Sequence, residues 1–188
     1  ARRDAREFTI RYQVNPFCGL YRRASFLHVG GHDEDPLVLY NEDVAFHIKL
    51  AFNGLSFAAE KDISIVNHRR FDSMSASNRL KCLQAQYHVM RKAAERDVER
   101  RYAQDIARKL WIITGGLTAE LDWATADKAA NLAIKLAGPV SAPSGALFKF
   151  LCRLSPPAAL RLREWLIRSL KPRMRAGYPG WRAPFAIL

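Results

Sequence analysis

Two acidic residues, Glu42 and Asp43, open the apolar run Val44-Ala45-Phe46-His47-Ile48-Lys49-Leu50-Ala51-Phe52, which ends in Asn53-Gly54. The apolar spacing and the glycine stop predict a helix over 43–53. At a helix start, unsatisfied N–H groups and the dipole favour an ionised carboxylate. A carboxylate held there can take the proton of an attacking hydroxyl, which is general-base chemistry. The same pair is also what ordinary N-terminal capping calls for, so taken alone it leaves both readings open. Just upstream, Gly30-Gly31-His32-Asp33-Glu34-Asp35 joins a glycine turn to an acidic loop. Asp33-Glu34-Asp35 spells Asp-x-Asp, and two such carboxylates can bind Mg2+ or Mn2+ weakly through oxygen.

The elements that must hold these residues read as mixed α and β up to about Arg70. Phe8 to Val14 alternates apolar and polar residues, the pattern of a half-buried strand, and Asn15-Pro16 ends it. Gly19 to Arg23 reads as a second short strand, and Ala24 to Val29 as a short helix stopped by Gly30-Gly31. Leu55 to Ala59 and Ile63 to Val66 read as further strands. From Ser75 the period becomes helical, with Ser75 or Ser77 as N-cap and Leu80, Leu83, Ala85, Tyr87, Met90 and Ala94 as apolar positions. Gly115-Gly116 is expected to break that pattern. A helix over 125–137 follows. Gly138-Pro139 and Ala142-Pro143-Ser144-Gly145 read as a linker. Two helices over 146–154 and 157–170 come next, the second with proline in its first turn.

Composition narrows the class. Hydrophobic residues make up 49% of the 188, enough for a core. Three scattered cysteines, Cys18, Cys82 and Cys152, match neither a disulfide framework nor a zinc site and fit a reducing compartment. No run of ~18 uninterrupted apolar residues predicts a membrane span. The chain opens on Ala1 with a charged stretch and no secretory leader, and so reads as a piece of a longer protein. Net charge is +12, and from Pro139 onward nine basic residues face Glu164 alone, leaving +8 there. That asymmetry calls for an anionic partner. In 157–170, Leu162, Trp165, Leu166 and Leu170 fall on one face, with Arg161, Arg163 and Arg168 on or flanking the other. Beside them, 146–154 adds Leu147, Phe148, Phe150 and Leu151 with Lys149 and Arg153. Such a segment suits a membrane interface or a core-packed helix with a solvated basic face. Nucleic acid is disfavoured, because no recognised motif accompanies the charge.

Taken in order, Cys18-Gly19-Leu20-Tyr21-Arg22-Arg23, Val29-Gly30-Gly31-His32-Asp33-Glu34, Asn41-Glu42-Asp43, Gly54 and Val66-Asn67-His68-Arg69 resemble the C-terminal part of a family 2 glycosyltransferase over about residues 15–75. His32 stands where that family more often has an aromatic residue. The resemblance implies a partial GT-A type (Rossmann-like) α/β half over 1–75. A helical region over 76–138 and a basic amphipathic helical extension over 139–188 complete the expected organisation. It implies Asp43 as general base, assisted by Glu42, with Cys18, Gly19, Gly31, Asp33 and Glu34 on the acceptor side. His68, Arg69 and Arg70 would lie near the metal or the leaving diphosphate; a strand-end histidine and a solvated arginine pair are the plain alternatives. Asp33-Glu34-Asp35, placed after Gly30-Gly31 and before Glu42-Asp43, belongs to the acceptor loop on this reading. Mg2+ or Mn2+ would be held mostly by an upstream donor-binding portion. The implied reaction is inverting transfer from a nucleotide-sugar to a saccharide or lipid-linked acceptor, in surface polysaccharide synthesis at the cytoplasmic face of a membrane. The rival expectation is a non-enzymatic basic helical module that binds a membrane surface or an acidic partner.

Overall fold

The computed structural model describes residues 4–12, 19–58, 77–139 and 145–179. The chain divides into two compact units, residues 1–105 and 106–188. The first holds α1 (Ala5–Arg11), α2 (Arg23–His28), a 3-10 turn (Pro36–Val38), α3 (Glu42–Phe52) and α4 (Arg79–Arg96). The second holds most of α5 (Ala103–Ala119), then α6 (Trp123–Ala137), α7 (Ala146–Leu154), α8 (Pro156–Leu170) and a closing 3-10 turn (Pro172–Arg175).

No strand occurs among the described residues, which corrects the expected α/β, Rossmann-like half to a helical architecture. The segment from Phe8 shows why. Asp4 caps α1 by accepting the Arg6 N–H at 2.9 Å, and Glu7 in the first turn pairs with Arg11 one turn later. The Thr9 hydroxyl donates back to the Ala5 carbonyl, and Thr9 and Ile10 are buried. Capping and an i,i+4 pair thus outweigh a short apolar alternation. Gly19 to Arg22 has no regular structure, and Arg23 already begins α2. Leu55 to Ala58 is likewise irregular, while 13–14, 59 and 63–66 lie outside the described residues.

In the first unit α1 packs on α3, and α4 packs on α3 and on the Pro36–Val38 turn. Ile10, Val38, Phe46, Ile48 and Ala93 are fully buried. Phe46, Leu50 and Val29 form a cluster that Phe26, Leu55 and Phe57 cover. Gly54 ends α3 at φ +80°, with the Leu55 N–H donating to Leu50 and the Gly54 N–H to Ala51. This is the paired terminal bonding that favours glycine.

In the second unit α8 packs against α6, α7 and the closing turn. Ala126, Ala129, Ala130 and Ala133 put the buried face of α6 at helical spacing. The expected break at Gly115-Gly116 does not occur: α5 runs on to Ala119. Two glycines weaken a helix by roughly 1 kcal/mol each. Buried Ile113, Thr114, Leu117 and Thr118 around them hold it, as does the Thr114 hydroxyl donating to Leu110. Among the described residues no helix is long and apolar enough to cross a membrane.

Candidate functional site at the start of helix α3

Local chain chemistry brings the acidic run to one place. Gly30 and Gly31, at φ +71° and +64°, close α2. The Gly31 N–H donates to the Phe26 carbonyl and the Gly30 N–H to Leu27, each at 3.0 Å. Lys49 of α3 donates to both glycine carbonyls, at 3.3 and 3.1 Å. Gly31 is therefore a helix terminator that α3 holds in place. His32 lays its ring on Phe46, centroids 4.5 Å apart, with Phe26 edge-on. An imidazole thus packs between two aromatic rings here.

Asp33 and Asp35 both receive the Lys92 ammonium of α4, at 2.8 and 2.7 Å. Asp33 also accepts the Asp35 N–H, and Asp35 caps the 3-10 turn through the Leu37 N–H. Burial pushes the Asp33 carboxyl up most, but the Lys92 bond, the Asp35 N–H and the Lys92 charge together outweigh it and hold the group below the usual range; at Asp35 the Lys92 bond is the largest cause and also lowers it. Lys92 bridges the two carboxylates and offsets one of their two charges. Asp33 thus orders the loop, while Glu34 is exposed.

Tyr40, at φ +77°, precedes the buried Asn41, and α3 starts at Glu42. A left-handed conformation at a tyrosine is strained. It lies two residues before Glu42, the first of the two candidate catalytic acids. Glu42 and Asp43 are half-buried in the first turn, and the Asp43 carboxylate accepts the Val44 N–H at 2.8 Å. Among the described residues neither makes an ion pair.

One turn beyond Asp43 stands His47, 2% exposed, its Nε2 sharing a 2.6 Å hydrogen bond with the Tyr21 hydroxyl. Its Nδ1 is buried and meets no hydrogen-bond partner among the described residues. Burial pushes the His47 imidazole below its ordinary value; the Asp43 charge pulls it up and His32 pushes it down. Burial and then Asp43 raise the Tyr21 hydroxyl. Gly19 has a structural reason: a Cβ there would come 2.5 Å from the Tyr21 hydroxyl, so glycine admits the tyrosine ring. Cys18, His68, Arg69 and Arg70 lie outside the described residues.

The first unit therefore joins Glu42, Asp43, Tyr21, His47 and His32 around one helix turn. His47 was readable as the residue four after Asp43, on the same helix face. Lys92 had no such signal, being 59 residues from Asp33. Comparison with family models, curated proteins and solved structures gives no match.

The buried imidazole has a measurable consequence. Its folded-state pKa is lowered from 6.5, so the unfolded chain takes up a proton first on acidification. Its contribution is complete above pH ~6.5 and is lost as pH falls from there through the lower folded value. We expect urea midpoints to drop between pH 7.5 and 5.5 by less in His47→Gln than in the native chain. Equal drops would show that His47 does not supply this dependence.

Proposed function

We propose that this chain supplies the acceptor side of a sugar transfer from a nucleotide-sugar, with Asp43 as the base. The observation that carries the reading is an Asp43 half-exposed in the first turn of α3, within electrostatic reach of the Tyr21–His47 pair. The order of Gly30-Gly31, the acidic loop and Glu42-Asp43 along the chain supports it. Asp43 takes the proton of the acceptor hydroxyl as that oxygen forms its bond to the anomeric carbon. The bond from that carbon to the diphosphate breaks, and the diphosphate leaves with the electron pair. Glu42, on the same turn, orients the acceptor.

The test measures release of nucleoside diphosphate, and sugar incorporation into a membrane lipid extract, from a panel of nucleotide-sugars. The chain is used within its native reading frame. Asp43→Asn abolishes transfer if the reading holds; near-normal turnover would remove Asp43 as base. A second reading, a non-enzymatic module at a membrane surface, is favoured by uncovered apolar residues on α7. Turnover of any nucleotide-sugar separates the two.

A further inference from the structure

Helix α7 carries more apolar surface than its unit covers. Cys152 is buried, burial pushing its thiol up to about 11, and Phe148 packs edge-on against Trp111 under the Arg163 guanidinium. That accounts for one side of the helix. Leu147, Phe150 and Leu154, spaced for another face, remain 72%, 55% and 70% exposed. Exposed Arg153 and half-exposed Lys149 line the remaining arc. Ser155 ends α7 and caps α8 with no intervening linker. On α8, Leu162, Leu166 and Leu170 repeat at helical spacing and stay exposed, and exposed Lys171, Arg173 and Met174 follow.

We propose that the Leu147–Phe150–Leu154 face of α7 docks on an anionic phospholipid surface, lying in the interface. This goes beyond the sugar-transfer reading and does not depend on it. The chemistry is that of an interfacial helix: apolar side chains enter the acyl boundary while flanking cations meet headgroup phosphates. A nine-residue helix is far too short to span a bilayer. The charge argues against a second copy as occupant, since self-pairing would bring two surfaces of like, strongly basic sign together. It also argues against nucleic acid, whose phosphates would satisfy Arg153 and Lys149 and leave three large apolar side chains in water.

Not every basic residue contributes. Arg168 is fully buried and Arg175 nearly so, both committed to Glu164, which corrects the expected place of Arg168 on or flanking the helix's basic face. Arg161 pairs with Asp127 and stacks on Trp123. The lipid-facing charge rests on Lys149, Arg153, Lys171 and Arg173.

The test is co-sedimentation of the full chain with vesicles of phosphatidylcholine alone or with ~30% phosphatidylglycerol. Expected is roughly tenfold or greater preference for the anionic vesicles, reduced by salt. The triple variant Leu147→Ser, Phe150→Ser, Leu154→Ser should lose that binding roughly tenfold or more while keeping its helical circular dichroism. Val98→Ser, which removes an 86%-exposed apolar residue elsewhere, should bind as the native chain does. Equal binding to neutral vesicles, undiminished binding by the folded triple variant, or no binding by the native chain would overturn the proposal. So would a light-scattering dimer, or retention of single-stranded RNA, that the triple variant abolishes.

Discussion

Glu164→Gln is expected to destabilise the chain by about 3–5 kcal/mol, because it strands two cations in the interior of the second unit. Glu164 is wholly buried. Its Oε1 accepts Arg168 Nε at 2.8 Å and Arg175 Nε at 2.7 Å, and its Oε2 accepts Arg175 Nη2 at 2.7 Å. Arg168 also donates to the Ala119 carbonyl at 2.9 Å and to Pro179 at 2.6 Å. The carboxylate thus ties α8 to the closing turn, and through Arg168 the same network reaches the end of α5 and the segment after that turn. Removing one partner of a buried pair leaves an uncompensated charge, whereas replacing the whole set with apolar residues is often neutral. Against a typical total stability of about 5–15 kcal/mol this is a large share. Urea unfolding followed by helical circular dichroism measures it. A loss below ~1 kcal/mol would mean that water already reaches the site. Burial pushes the Glu164 carboxyl up, but the two arginines outweigh it and hold it below 4.5. Its contribution is therefore present above pH ~4.5 and lost as pH falls through the lower folded value. Glu164→Gln should remove that part of the acid sensitivity.

Asp43→Asn is expected to lower sugar transfer by about 10²–10⁴-fold, the usual worth of a positioned general base. Asparagine keeps the size of the side chain and can still accept the Val44 N–H, so α3 and its packing on α1 and α4 should survive. An unchanged melting temperature beside lost turnover would separate chemistry from folding. Glu42→Gln, on the same turn, should raise KM more than it lowers kcat if Glu42 orients the acceptor. Asp33→Asn should act differently again: it loosens the Lys92 clamp on the loop and lowers stability without being needed at the reacting atoms. Parallel losses of kcat in all three variants would contradict the division of roles.

Elements of both units were readable where local signals agree. Glu42–Phe52 carries acids in its first turn and Gly54 after its end. Pro156–Leu170 begins with a serine cap and proline in the first turn. Residues 5–11 misled because alternation over a few positions is weaker than a cap, an acidic first turn and burial of Thr9 and Ile10. The basic tail misled for a related reason. Charge counted along a sequence does not reveal that Arg168 and Arg175 are spent on a buried glutamate.

The sequence by itself determined the helix read over 43–53 and found at 42–52, the pair Glu42-Asp43 at its start, the stops at Gly30-Gly31 and Gly54, and the concentration of charge after Pro139, because each is set by neighbours within one or two turns. Only the tertiary structure decided that Asp33 and Asp35 hold a lysine 59 and 57 residues away, that Tyr21 meets His47, and that Glu164 buries two arginines. Those pairings depend on which helices pack together, and a partner that far along the chain leaves no periodic mark beside the residue it neutralises. The same limit explains α7: its sequence shows an apolar helix, but only packing reveals which face is left exposed.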